Sequence, residues 1–60
     1  MKKKVKELLE KLPMCYGTYK DYCVNNNIGY KDQLYIIERE LVISSHGYYY
    51  ITPKGREAIK

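Results

Sequence analysis

Sixty residues hold one domain with a small core, because a chain this short leaves a large share of its apolar surface in water even when folded. Apolar residues make up 45% of it and run along its whole length, which excludes a disordered tail, and no apolar run approaches the ~20 residues that span a bilayer. A net charge of +4 attracts polyanions or acidic surfaces without choosing among them.

The first element is a helix over residues 2–12. Val5, Leu8, Leu9 and Leu12 fall at i, i+3, i+4 and i+7, on one face, and Pro13 ends the run. Glu7 and Glu10 interrupt what would have to be the apolar centre of a signal peptide, so the chain is expected in the cytoplasm. Residues 14–17 read as a connection. Thr18 then reads as the N-cap of a short second helix carrying Tyr19, Tyr22 and Cys23 on one side, with Asp21 completing a variant capping box. Asn25, Asn26 and Asn27 favour a turn over a helix interior, and Ile28 is placed to plug that turn into the core.

From Tyr30 the helical period returns. Tyr30, Leu34, Ile37 and Leu41 align on one face and predict a third helix with Leu34, Ile37 and Leu41 turned inward. Val42 to Ser45 and Tyr48 to Thr52 are β-tending runs around Gly47, which predicts a hairpin in which Tyr49 faces opposite to Tyr48 and Tyr50. Thr52 followed by Pro53 predicts an N-cap and the first position of a last short helix reaching Lys60. The expected fold is α+β: three helices, a β-hairpin and a short C-terminal helix, in one domain over residues 1–60.

Two short helices joined by a tight turn, then a longer helix leading straight into a β-hairpin, is the layout in which a helix-turn-helix presents its second helix to the major groove. The segment Tyr50-Ile51-Thr52-Pro53-Lys54-Gly55-Arg56 resembles the closing strand and Thr-x-Lys-Gly signature of winged-helix transcriptional regulators. The run Leu34, Ile37, Leu41 and Val42 resembles the apolar positions leading from their recognition helix into the first wing strand. Where family members often carry Gly at that exit, this chain has Glu40 followed directly by Leu41. The size and the abundance of Tyr, Lys and Ile also resemble the compact winged-helix proteins of viruses, plasmids and archaea. The resemblance implies a small winged helix that binds double-stranded DNA as a transcriptional regulator.

The helical step assigns candidate DNA contacts independently. With Leu34, Ile37 and Leu41 inward, Asp32, Tyr35, Ile36 and Arg39 would face the groove, with Lys31 at the margin and Gln33 near the helix start. Arg39 suits guanine, Tyr35 a phosphate or a thymine methyl, Lys31 and Gln33 phosphate or base edges, and Asp32 a cytosine amine. Ser45, His46 and Tyr48 at the hairpin tip and Lys54 and Arg56 beyond it are the candidate backbone contacts. Lys2, Lys3 and Lys4 are either a phosphate-tracking arm or a solvated helix end.

A single His, no paired carboxylates and no Gly-rich phosphate loop predict no catalytic site and no cofactor, and so short a domain leaves little room for a pocket of ~300 Å³. Cys15 and Cys23 lack companions at metal-ligand spacing and read as small buried residues, with a disulfide as the alternative in a hyperthermophile. A protein-interaction module on the same fold, using Tyr35, Ile36 and the wing, is the competing reading, and a single-strand or RNA binder is the third. The four apolar residues of helix 1 exceed what one face of a small core conceals, which predicts a homodimer through helix 1 and the C-terminal segment.

Overall fold

The computed structural model describes residues 1–60 as seven elements: α1 (Lys3–Lys11), β1 (Met14–Cys15), α2 (Tyr16–Asn25), α3 (Tyr30–Glu38), β2 (Val42–Ser45), β3 (Tyr48–Ile51) and α4 (Pro53–Ala58). The fold is a small α+β domain, and its three strands form one antiparallel sheet in the order β1-β3-β2. No helix is long and apolar enough to cross a membrane.

Helix α1 follows its periodicity. Val5, Leu8, Leu9 and Leu12 are all buried in the single core, so the surplus apolar surface expected on this helix does not exist. The chain then does what the sequence reading missed: Met14 and Cys15 form a short strand, with Met14 opposite Tyr49 and Cys15 opposite Tyr48. Consequently α2 starts at Tyr16, not after Thr18. Cys15 is the N-cap residue, and Thr18 lies inside the helix with its hydroxyl 3.1 Å from the Cys15 Sγ.

Helices α2 and α3 end by the same device. At the first exit Asn27 takes a left-handed conformation (φ 56), the Ile28 amide donates to the Cys23 carbonyl and the Asn27 amide to the Val24 carbonyl. At the second, Glu40 is left-handed (φ 59), the Leu41 amide donates to the Ile36 carbonyl and the Glu40 amide to the Ile37 carbonyl. Both are Schellman motifs, and in each the residue after the left-handed one, Ile28 or Leu41, drops into the core.

The second exit corrects the phase expected for α3. Leu41 lies beyond the helix, so it cannot share a helical face with Leu34 and Ile37. The fully buried residue is Ile36, whereas Ile37 is 46% exposed and Leu34 half-buried. Ile36 is therefore a core residue and not a groove contact.

The hairpin β2–β3 turns through His46 (φ 51) and Gly47 (φ 80), the signs of a two-residue type I′ turn. Its inner face carries Val42, Tyr49 and Ile51. Tyr49 packs its ring 4.0 Å from that of Tyr19 and 4.9 Å from that of Tyr16, centroid to centroid. The Gly47 carbonyl accepts from the Tyr16 amide at 3.0 Å, which ties the hairpin tip to the start of α2.

The closing helix is capped as the sequence indicates. Thr52 Oγ1 accepts from the Gly55 amide at 3.0 Å and donates to the Glu40 carbonyl at 2.6 Å, while the Thr52 amide donates to the Leu41 carbonyl. One threonine thus joins the end of β3, the start of α4 and the exit of α3.

Candidate nucleic-acid interface

With Ile36 pointing into the core, a step of about 100° per residue distributes the rest of α3 into two outward stripes. Lys31, Tyr35 and Arg39 form one flank, at i, i+4 and i+8. Tyr30, Leu34 and Ile37 form the other, and Glu38 lies between them at the outermost position. Arg39, at the C-cap, places its guanidinium carbon 4.8 Å from the centroid of the Tyr35 ring, a cation–π contact that holds both side chains against the helix.

The basic N-terminus lies beside this first stripe. Asp32 faces α1 and pairs with Lys2 at 3.1 Å and with Lys4 at 3.9 Å, and its side chain is only 16% exposed. Lys4 also donates to the carbonyl of Asn27 at the α2 exit. Met1, Lys2, Val5, Lys31, Asp32 and Tyr35 line an open cleft of about 490 Å³ between α1 and α3. The N-terminal lysines are therefore the start of a docked helix, and Lys2 and Lys31 face each other's surroundings across that cleft.

The candidate residues divide accordingly. Lys31, Tyr35 and Arg39 come together on one exposed stripe. Asp32 and Gln33 do not join them: Asp32 is engaged by the α1 lysines, and Gln33 is half-buried with Nε2 donating to the Ile28 carbonyl at 3.1 Å. Ser45 and His46 stand at the hairpin tip, where Ser45 Oγ and His46 Nδ1 are 2.7 Å apart. Tyr48 lies on the outer face of the sheet, its ring 6.2 Å from that of Tyr50. Lys54 pairs with Glu40 at 3.3 Å, and Arg56 is exposed on α4.

Tyr30, Leu34 and Glu38 are outward residues of α3 that the periodicity did not select. The signal that identifies them is the non-helical exit at Glu40: once Leu41 is removed from the helical count, Ile36 becomes the inward residue and the outward set follows.

Each titration shift has a local cause. The Thr18 hydroxyl hydrogen-bonded to Cys15 holds that thiol below its ordinary range. Burial pushes the Cys23 thiol up, and burial together with Glu7 and Glu10 does the same to Tyr22. Burial also raises Tyr19 strongly; its hydroxyl, beside the Cys23 thiol, makes no hydrogen bond of ordinary geometry. Both cysteines are free thiols.

A second open cleft of about 480 Å³ lies among Tyr16, Tyr19, Val24, Ile28, Gln33 and Tyr49. Both clefts are larger than the sequence led us to expect of so short a chain. No three His, Cys, Asp or Glu side chains come together in an arrangement that holds a metal ion. No protein-family model, curated protein or solved structure matches the chain.

Proposed function

We propose that this chain is a winged-helix protein that binds double-stranded DNA with sequence preference, a cytoplasmic transcriptional regulator rather than an enzyme. The single observation that carries the reading is the Lys31–Tyr35–Arg39 stripe on the exposed side of α3, flanked by the α1 lysines. The order helix, strand, helix, helix, strand, strand, with the first strand beside the last, supports it, since that is the layout of a winged helix.

In this arrangement α3 enters the major groove. Lys31 meets phosphate or guanine, Leu34 packs on a thymine methyl and Glu38 accepts from a cytosine amine, while Tyr30 and Tyr35 lie along the groove walls. Arg39 either reaches guanine or, kept on Tyr35, contacts the backbone. Lys2 and Lys3 extend the cationic strip past the groove edge, and His46 with the start of α2 faces the neighbouring backbone.

The apolar stripe Tyr30, Leu34 and Ile37 favours one competing reading, a protein-interaction module that uses the same helix. Titration of duplex DNA over a range of salt concentrations separates the two. DNA binding requires log affinity to fall linearly with log salt, and Lys31→Ala and Arg39→Ala to weaken it by about 1 to 3 kcal/mol at a preferred site or by about one unit of salt slope. Absence of salt-dependent binding at low ionic strength overturns it in favour of the protein partner.

A further inference from the structure

The hairpin is built unlike the rest of the molecule. The chain carries eleven Lys and Arg and seven Asp and Glu, yet none of them lies between Glu40 and Lys54. All charge is therefore carried by the helices and their termini, and the sheet has none.

The sheet's outer face is correspondingly apolar and open. Pairing of Ile43 with Tyr50 and of Ser45 with Tyr48 puts these four side chains on the face turned away from the helices. Ile43 is 56% exposed, Tyr48 46% and Tyr50 39%.

The edge of that sheet is open as well. In the order β1-β3-β2, strand β2 has a neighbour on one side only. The Thr52 amide bonds the Leu41 carbonyl, which makes Leu41 and Thr52 a hydrogen-bonded pair of the antiparallel ladder. Alternation then makes Ile43–Tyr50 and Ser45–Tyr48 the other bonded pairs, so the backbone amides and carbonyls of Val42 and Ser44 point away from β3. Natural sheets blunt such an edge with Lys, Pro or a bulge, and Val42-Ile43-Ser44-Ser45 contains none of these.

We infer that β2 is the self-association edge of this protein: two copies pair their β2 strands antiparallel about a two-fold axis beside Ile43 and continue one sheet across the dimer. Val42 and Ser44 of one copy stand opposite Ser44 and Val42 of the other, and the four free backbone groups on each side are satisfied. The two Ile43 side chains meet at the close spacing of a non-hydrogen-bonded pair and are flanked by Tyr48 and Tyr50 on the same face.

Two features select a second copy as the occupant. An open edge of alternating donors and acceptors is complementary to another strand. Like-charge repulsion between two copies of net charge +4 is least where the hairpins meet, because that surface bears no charge. The same lack of cations disfavours a single-stranded nucleic acid stacking on Tyr48 and Tyr50, since its phosphates would find no counter-charge on this face.

Sedimentation equilibrium of the full chain without DNA tests the inference independently of the proposed function. The mass should rise from 7.2 kDa toward twice that value with concentration. Ile43→Lys should raise the dissociation constant by at least about tenfold, because it sets two ammonium groups face to face at the strand pair. Ile43 is exposed in the monomer, so an unchanged circular dichroism spectrum should accompany this effect. Ser44→Pro removes an edge donor without touching the β3 ladder and should have the same result.

Hydrogen exchange at the Val42 and Ser44 amides should slow as concentration rises. A mass fixed at 7.2 kDa to millimolar concentration, or a dimer indifferent to both substitutions, overturns the inference. So does a monomer whose Tyr48 and Tyr50 signals respond to a single-stranded oligonucleotide.

Discussion

Gly55 lies directly against the carbonyl of Leu41, and a β-carbon built on it would overlap that oxygen and stand 2.6 Å from Ile51 Cγ1. Here the glycine serves close approach: α4 rests on the backbone at the α3 exit, where Thr52 is already bonded to both Glu40 and Leu41. Gly55→Ala should therefore cost about 1 to 3 kcal/mol despite the better helix propensity of alanine, because backbone and a β-carbon cannot share the space. Urea denaturation measures it, and an alanine variant as stable as the parent would refute this account of the contact.

The phase of α3 makes a paired prediction. Ile36→Ala should cost about 2 to 5 kcal/mol, enough to unfold much of so small a domain, whereas Ile37→Ala should stay within about 0.5 kcal/mol of the parent. Chemical denaturation of the two variants side by side checks the assignment. The reverse order would mean that Ile37 and not Ile36 faces the core.

Glu40 holds a left-handed conformation that costs a residue with a β-carbon about 1 to 2 kcal/mol, and its side chain offsets this only through an exposed pair with Lys54 worth about 0 to 1 kcal/mol. Glu40→Gly should stabilise the domain by a few tenths to about 1 kcal/mol, since the backbone bonds to Thr52 and Ile37 remain. A higher thermal midpoint is the expected result, and Lys54→Ala should then have no further effect in the glycine background.

Burying the Tyr19 hydroxyl without an ordinary partner is unfavourable, so Tyr19→Phe should raise stability at neutral pH by about 1 kcal/mol. Its pH dependence has a definite sign. The folded-state value lies above the ordinary tyrosine value of 10.0, so the contribution of the neutral phenol is fully present below pH 10 and is lost as pH rises through the folded value. Cys23, raised from 9.0 by burial, acts in the same direction and starts earlier. Thermal midpoints followed from pH 7 to 11 should fall above pH 9, with a shallower decline in the Phe variant.

How much of this was legible depended on whether a signal was local. The stripe on α1 and the stop at Pro13 are contained in the helix itself, as is the Thr52-Pro53 cap, so both elements lie where the sequence put them. Strand β1 is two residues long and is defined by its pairing with Tyr48 and Tyr49, more than thirty positions away; no local pattern announces it. The α3 phase failed for a related reason. Glu40 and Leu41 continue the helical spacing on paper, while the left-handed turn between Arg39 and Leu41 breaks it in space.

The candidate site inherited that error in part. Lys31, Tyr35 and Arg39 survive because a rotation of one residue leaves them on the exposed side. Ile36 moves to the core, and Asp32 and Gln33 turn toward α1 and the α2 exit. Which carboxylate meets which lysine is a matter of tertiary contact, and the pairing of Asp32 with residues at the chain start is not contained in either local segment.

The paired helix exits have a consequence for how the chain tolerates length changes. Each Schellman turn seats a specific residue, Ile28 or Leu41, in the core one step after a left-handed residue. Inserting or deleting a single residue within α2 or α3 would rotate everything beyond it by about 100° and withdraw that plug, so neither helix can absorb an indel at its end. Both ends of the hairpin are fixed too, by Thr52 at one side and by the Tyr16 to Gly47 bond at the other. A one-residue insertion within α2 or α3 should therefore destabilise the domain more than one added at either terminus.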